Sequence, residues 1–146
     1  MSAPRITKES LEGYRRQAVE AGLEGAGFLT SMTDEDILTI CNGIGPEWFP
    51  ASLRTMVDRF HPSLIVVSMI HDIMYHVGDG TDEDFRNANR IFRENGYRMA
   101  KLNYGWYNPA RYKVEYDAWK FGRMCDRFGR TAYDQAIEDR KRSCKG

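Results

Sequence analysis

Residues 63–77 read Ser63-Leu64-Ile65-Val66-Val67-Ser68-Met69-Ile70-His71-Asp72-Ile73-Met74-Tyr75-His76-Val77, and their reading decides the fold. The stretch is apolar nearly all round, which requires an element buried on every side. Its length favours a helix over a strand, even against its β-branched content. Pro62 suits a first helical turn and Gly78 suits a stop. A second helix is expected directly afterwards. Thr81 can cap it, Asp82, Glu83 and Asp84 suit its first turn, and Phe85, Ala88, Ile91 and Phe92 form a buried stripe that ends at Asn95-Gly96. The expected fold class is all-α: a small single helical domain over residues 1–146, with two central antiparallel helices and a Gly-rich loop.

Working outward, residues 7–21 predict a helix capped by Thr7, with Leu11, Tyr14, Ala18 and Val19 on one stripe and glycines 22, 25 and 27 ending it. Residues 33–40 predict a short helix capped by Thr33 or Asp34, with Ile37, Leu38 and Ile40 apolar. Residues 41–50, CNGIGPEWFP, hold two glycines and two prolines and read as a structured loop. A short helix over 51–60 is expected to end near His61-Pro62. Residues 97–108 read as a helix end and a loop. A last helix or helix pair spans about 109–140, with Val114, Ala118, Phe121, Cys125, Phe128 and Ala132 as a packing seam. Within it Gly122 and Gly129 imply either close approach of a neighbouring helix or a break.

Lys plus Arg equals Asp plus Glu at 21 each, so no whole-surface basic field exists and nucleic acid is not an expected partner. The cluster Arg140, Lys141, Arg142 and Lys145 reads as a solvated helix end. Three widely spaced cysteines, Cys41, Cys125 and Cys144, contain no CxxC pair and make neither a zinc site nor a disulfide framework. No apolar leader follows Met1, and the run from Leu64 to Ile70 is too short to span a bilayer. The expected setting is cytoplasmic, unless another route delivers the protein.

One pair of residues carries the chemistry. His71 and Asp72 are adjacent ionisable groups in a buried stretch, and such groups need partners. Tyr75 lies one turn from His71 on the same face, with Asp72 about a quarter turn away. This suits a general base beside a cation site, and it equally suits a buried structural network. The acidic run 79–84 lacks EF-hand spacing and reads as a helix start. His61 and His76 read as surface or capping residues. No P-loop or serine nucleophile elbow occurs. The aromatic residues Tyr97, Tyr104, Trp106, Tyr107, Tyr112, Tyr116 and Trp119 read as a core and loop packing surface, with a lipid- or partner-facing rim as the alternative.

His71-Asp72-Ile73-Met74-Tyr75 reads H-D-x-x-Y, preceded by the Gly-rich loop, and so resembles the signature helix of the phospholipase A2 superfamily. The resemblance spans about residues 41–95. It implies His71 as the base that activates a water, Asp72 as a calcium ligand and Tyr75 as an orienting phenol. Asn42, Gly43 and Gly45 would belong to the calcium loop, their backbone carbonyls binding Ca²⁺, with a backbone N–H near Gly45 helping to hold the oxyanion. In that family a second aspartate orients the histidine. Within Ala88-Asn89-Arg90-Ile91-Phe92, Asn89 stands at that position, with Asp84 as the substitute if the register shifts. The implied activity is Ca²⁺-dependent hydrolysis of a glycerophospholipid ester at a membrane surface. The alternative is a catalytically degenerate scaffold that binds a protein partner.

Overall fold

The computed structural model describes residues 6–43, 56 and 59–145. The described secondary structure is all helical: α1 (Lys8–Glu20), α2 (Ala26–Ser31), α3 (Asp34–Gly43), a 3-10 turn (Pro62–Leu64), α4 (Ile65–His76), α5 (Asp82–Asn103), α6 (Pro109–Phe128) and α7 (Arg130–Lys145). The expected helix over 51–60 lies largely outside the described residues.

The caps are those the sequence names. Thr7 closes a capping box with Ser10, and Thr81 accepts from the Asp84 N–H at 3.1 Å. Thr33 accepts from the Asp36 N–H at 3.2 Å. Gly22 (φ 64°) turns the chain out of α1 in the left-handed region, and Gly25 (φ 91°) turns it into α2, a helix the glycine run conceals. Arg15 then locks these pieces together. Its guanidinium donates to the Leu29 and Met32 carbonyls and pairs with Asp34 at 2.6 Å.

α4 is the hub of the core, as its composition requires. Val66, Val67, Met69, Ile70, His71, Ile73 and Tyr75 are all buried. α5 runs antiparallel to α4, since Tyr75 meets Phe85 while Leu64 lies near Gly96. α6 is antiparallel to α5 in turn, with Arg93 against Asp126 and Gly96 against Ala118.

Three expectations need correction. Asn95-Gly96 does not end α5, which continues through Asn103. The Asn95 amide exchanges hydrogen bonds with the Glu24 backbone at 3.0 and 2.9 Å, and Gly96 is one point of close approach between α5 and α6. A Cβ there would collide with the Ala118 methyl. Cys41, Asn42 and Gly43 belong to the last turn of α3 rather than to a loop. Val19 and Phe128 are exposed instead of lying in their stripes. Gly122 and Gly129 realise both readings left open by the sequence: Gly122 makes room for the Arg93 side chain, and Gly129 is the break between α6 and α7.

Candidate active site

His71 sits in the middle of α4 at 2% exposure. Aromatic rings wall it in: Tyr75, Phe92 and Phe121 lie with ring centroids 4.2, 5.3 and 5.8 Å away. This apolar box disfavours the charged imidazolium and lowers the His71 pKa to about 4, against smaller upward contributions from the Asn89 hydrogen bond and the Asp126 charge. At neutral pH the imidazole is therefore uncharged.

Asn89, fully buried on α5, joins the site. Its Oδ1 lies 2.9 Å from His71 Nε2 and accepts from the Tyr75 hydroxyl at 2.6 Å. Its Nδ2 donates to Asp126 Oδ1 on α6 at 2.9 Å. Asp126 Oδ2 in turn accepts from Arg93 Nη1 at 3.1 Å. The proton positions follow from this chain. An ionised carboxylate only accepts, so the Asn89 NH₂ must face Asp126 and its oxygen must face His71. His71 Nε2 must then carry the ring proton, which leaves Nδ1 with a free lone pair.

Three sequence-named residues thus converge: His71, Tyr75 and Asn89. Asp84 does not substitute for Asn89; it accepts from the Tyr133 hydroxyl at 2.8 Å instead. The residues that sequence reasoning missed are Asp126 and Arg93. A usable signal existed. Asn89 and Arg93 lie one turn apart and both need an acceptor, while Gly122 and Asp126 lie one turn apart on a helix whose seam faces them.

Asp72 is partly covered and forms no hydrogen bond or ion pair with the described residues. Burial pushes its carboxyl well above the usual carboxylate range. Such a group fits one ligand position of a hard cation, since a bound positive charge would offset the desolvation. The Asn42 side chain is engaged elsewhere, whereas the resemblance assigns the cation to backbone carbonyls. The Asn42 amide exchanges hydrogen bonds with the Ile6 backbone at 3.0 and 2.8 Å, tying the start of the chain to α3. Gly43 closes α3, and Gly45 lies outside the described residues. Among the described residues no three His, Cys, Asp or Glu side chains gather into a metal cluster.

The remaining candidates separate as well. His61 caps the 3-10 turn by accepting from the Ser63 N–H, and its Nε2 lies 2.8 Å from the Tyr104 hydroxyl. These two residues help line a groove of about 710 Å³ that His71 and Asp72 do not line. Tyr97 and Tyr104 pack against the core, whereas Trp106, Tyr107, Tyr112, Tyr116 and Trp119 are exposed on α6 and the turn before it. Lys120 lies over the Tyr116 ring at 5.8 Å. No helix among the described residues is long and apolar enough to cross a membrane. Compared with known proteins, the chain matches no family model, no curated protein and no solved structure.

Proposed function

We propose that the chain is a phospholipase A2-like hydrolase that cleaves a glycerophospholipid ester with a His71-activated water and Ca²⁺. One observation carries this reading: His71 Nε2 and the Tyr75 hydroxyl converge on Asn89 Oδ1, an arrangement that puts the ring proton on Nε2 and leaves Nδ1 as the base. Nδ1 takes a proton from water as the hydroxide attacks the ester carbonyl carbon. The imidazolium then returns that proton to the leaving alkoxide, giving a fatty acid and a lysophospholipid. Asp72 would hold the cation together with backbone carbonyls. When bound, Ca²⁺ polarises the ester carbonyl and steadies its developing charge. The exposed aromatic residues of α6, interleaved with Lys120, Arg123 and Arg127, suit a surface of anionic lipid.

The test is fatty-acid release from mixed phosphatidylcholine–phosphatidylglycerol vesicles, with millimolar Ca²⁺ or with EDTA. Wild type should act only with Ca²⁺, and His71→Gln should lower the rate by roughly 10²- to 10⁴-fold. In thermal unfolding, Ca²⁺ at a hundred times its Kd should add roughly 2.7 kcal/mol to wild type and nothing to Asp72→Asn. A folded wild type that neither hydrolyses lipid nor responds to Ca²⁺ would sink the proposal and favour a protein-binding scaffold.

A further inference from the structure

We infer that Asp126 is the positioning residue for His71, acting through the Asn89 amide, so that an Asn–Asp pair from two helices does the orienting work of one carboxylate. The catalytic meaning of this inference rests on the hydrolase reading; the hydrogen-bond assignment does not.

The argument is one of donors and acceptors. An asparagine can face His71 with either end of its amide. If the NH₂ faced the ring, it would confront the Tyr75 hydroxyl and His71 Nε2, and its oxygen would oppose the Asp126 carboxylate. Asp126 forbids that arrangement by demanding a donor at 2.9 Å. The amide orientation then dictates which ring nitrogen of His71 is protonated. Asp126 is itself fixed from the other side by Arg93 at 3.1 Å. Arg93 reaches it across Gly122, where a Cβ would collide with the Arg93 side chain. Two close approaches of α5 and α6, at Gly96 with Ala118 and at Gly122 with Arg93, thus place a carboxylate behind the amide. Asn89 is on this view no loss of the orienting aspartate. The charge has moved one residue outward.

The pair makes an unusual demand on variants. Asn89→Asp alone sets two carboxylates about 2.9 Å apart, where both cannot stay ionised. Asn89→Asp combined with Asp126→Asn exchanges the two groups and restores one donor facing one acceptor.

Two readouts decide the matter. The first is the nitrogen NMR signature of the His71 ring in the full chain at neutral pH, assigned by its loss in His71→Gln. Wild type should show the Nε2–H tautomer. Asp126→Ala should move the two ring nitrogens toward each other as the amide turns freely, and Asp126→Asn, whose own amide oxygen can still accept, should keep the wild-type pattern. The second is vesicle hydrolysis. Asn89→Asp should lose roughly 10- to 100-fold, and the exchanged double variant should recover most of that loss. Unchanged ring signals in folded Asp126→Ala would overturn the inference. So would an Asn89→Asp variant as active as wild type. Absence of hydrolysis in wild type would end the enzymatic reading, yet the ring signals would still show whether Asp126 sets the tautomer.

Discussion

At the scale of the residue, His71 is an imidazole kept neutral by burial. Its pKa of about 4 lies below the ordinary 6.5. Between those two values the unfolded chain takes up a proton that the native imidazole refuses. Stability must therefore fall as pH drops through that window, by roughly 3 kcal/mol in total, with no contribution from this group above pH 6.5. His71→Gln cannot take up that proton. Urea unfolding of both proteins at pH 7 and pH 4.5 should show wild type losing ground to the variant on acidification. Parallel pH dependence in the two would mean that the ring titrates as in water. Asp72 has the opposite sign: burial favours its neutral form, so its contribution falls as pH rises through the range above its ordinary value.

At the scale of the element, the α5–α6 contact depends on small residues. Gly96→Ala adds a methyl where the Ala118 methyl already sits. The better helix propensity of alanine would gain about 1 kcal/mol, but overpacking of this kind costs about 1–3 kcal/mol. The net expectation is destabilisation, and Ala118→Gly in the same chain should relieve it. A chemical-denaturation series of the two single variants and the double variant reads this directly; additive losses would deny the contact. The same contact explains what was legible in the sequence. The all-apolar stretch located α4, and Thr81, the acidic turn and the Phe85-to-Phe92 stripe located α5, because these are local signals. At Asn95-Gly96 a tertiary contact outweighs the local preference for a turn, and the helix continues. His71 and Tyr75 are named by their spacing and Asn89 by the family resemblance, whereas the spacing of Gly122 and Asp126 points to the site only when α6 is already known to lie against α5. The role of Asp126 exists only once two glycines let α5 and α6 close on each other. Asn42 likewise reads locally as loop, yet it lies in the last turn of α3 and its amide closes on Ile6.

At the scale of the whole molecule, α7 braces the turn that joins the two site helices. The Tyr133 hydroxyl donates to Asp84 and accepts from the Gly80 N–H at 2.9 Å. Burial and the neighbouring Asp84 push its pKa to about 12, so the phenol keeps its proton throughout the working range. Arg130 and Arg140 donate to the Gly80 and Gly78 carbonyls at 2.7 and 2.9 Å. Tyr133→Phe leaves the Gly80 N–H and one Asp84 oxygen without this partner and should cost about 1–3 kcal/mol. A shift of the urea midpoint at constant slope would register that loss, and no shift would mean that water replaces the hydroxyl at no penalty.

The brace and the Arg93–Asp126 pair together fix how far the chain can be trimmed. A fragment cut to the 41–95 motif would retain the histidine, the phenol and the amide. It would lack the carboxylate that turns the amide and the helix that holds the turn. The smallest self-sufficient unit therefore extends through α7, and shuffling the motif alone into another protein would transplant the letters of the site without its grammar.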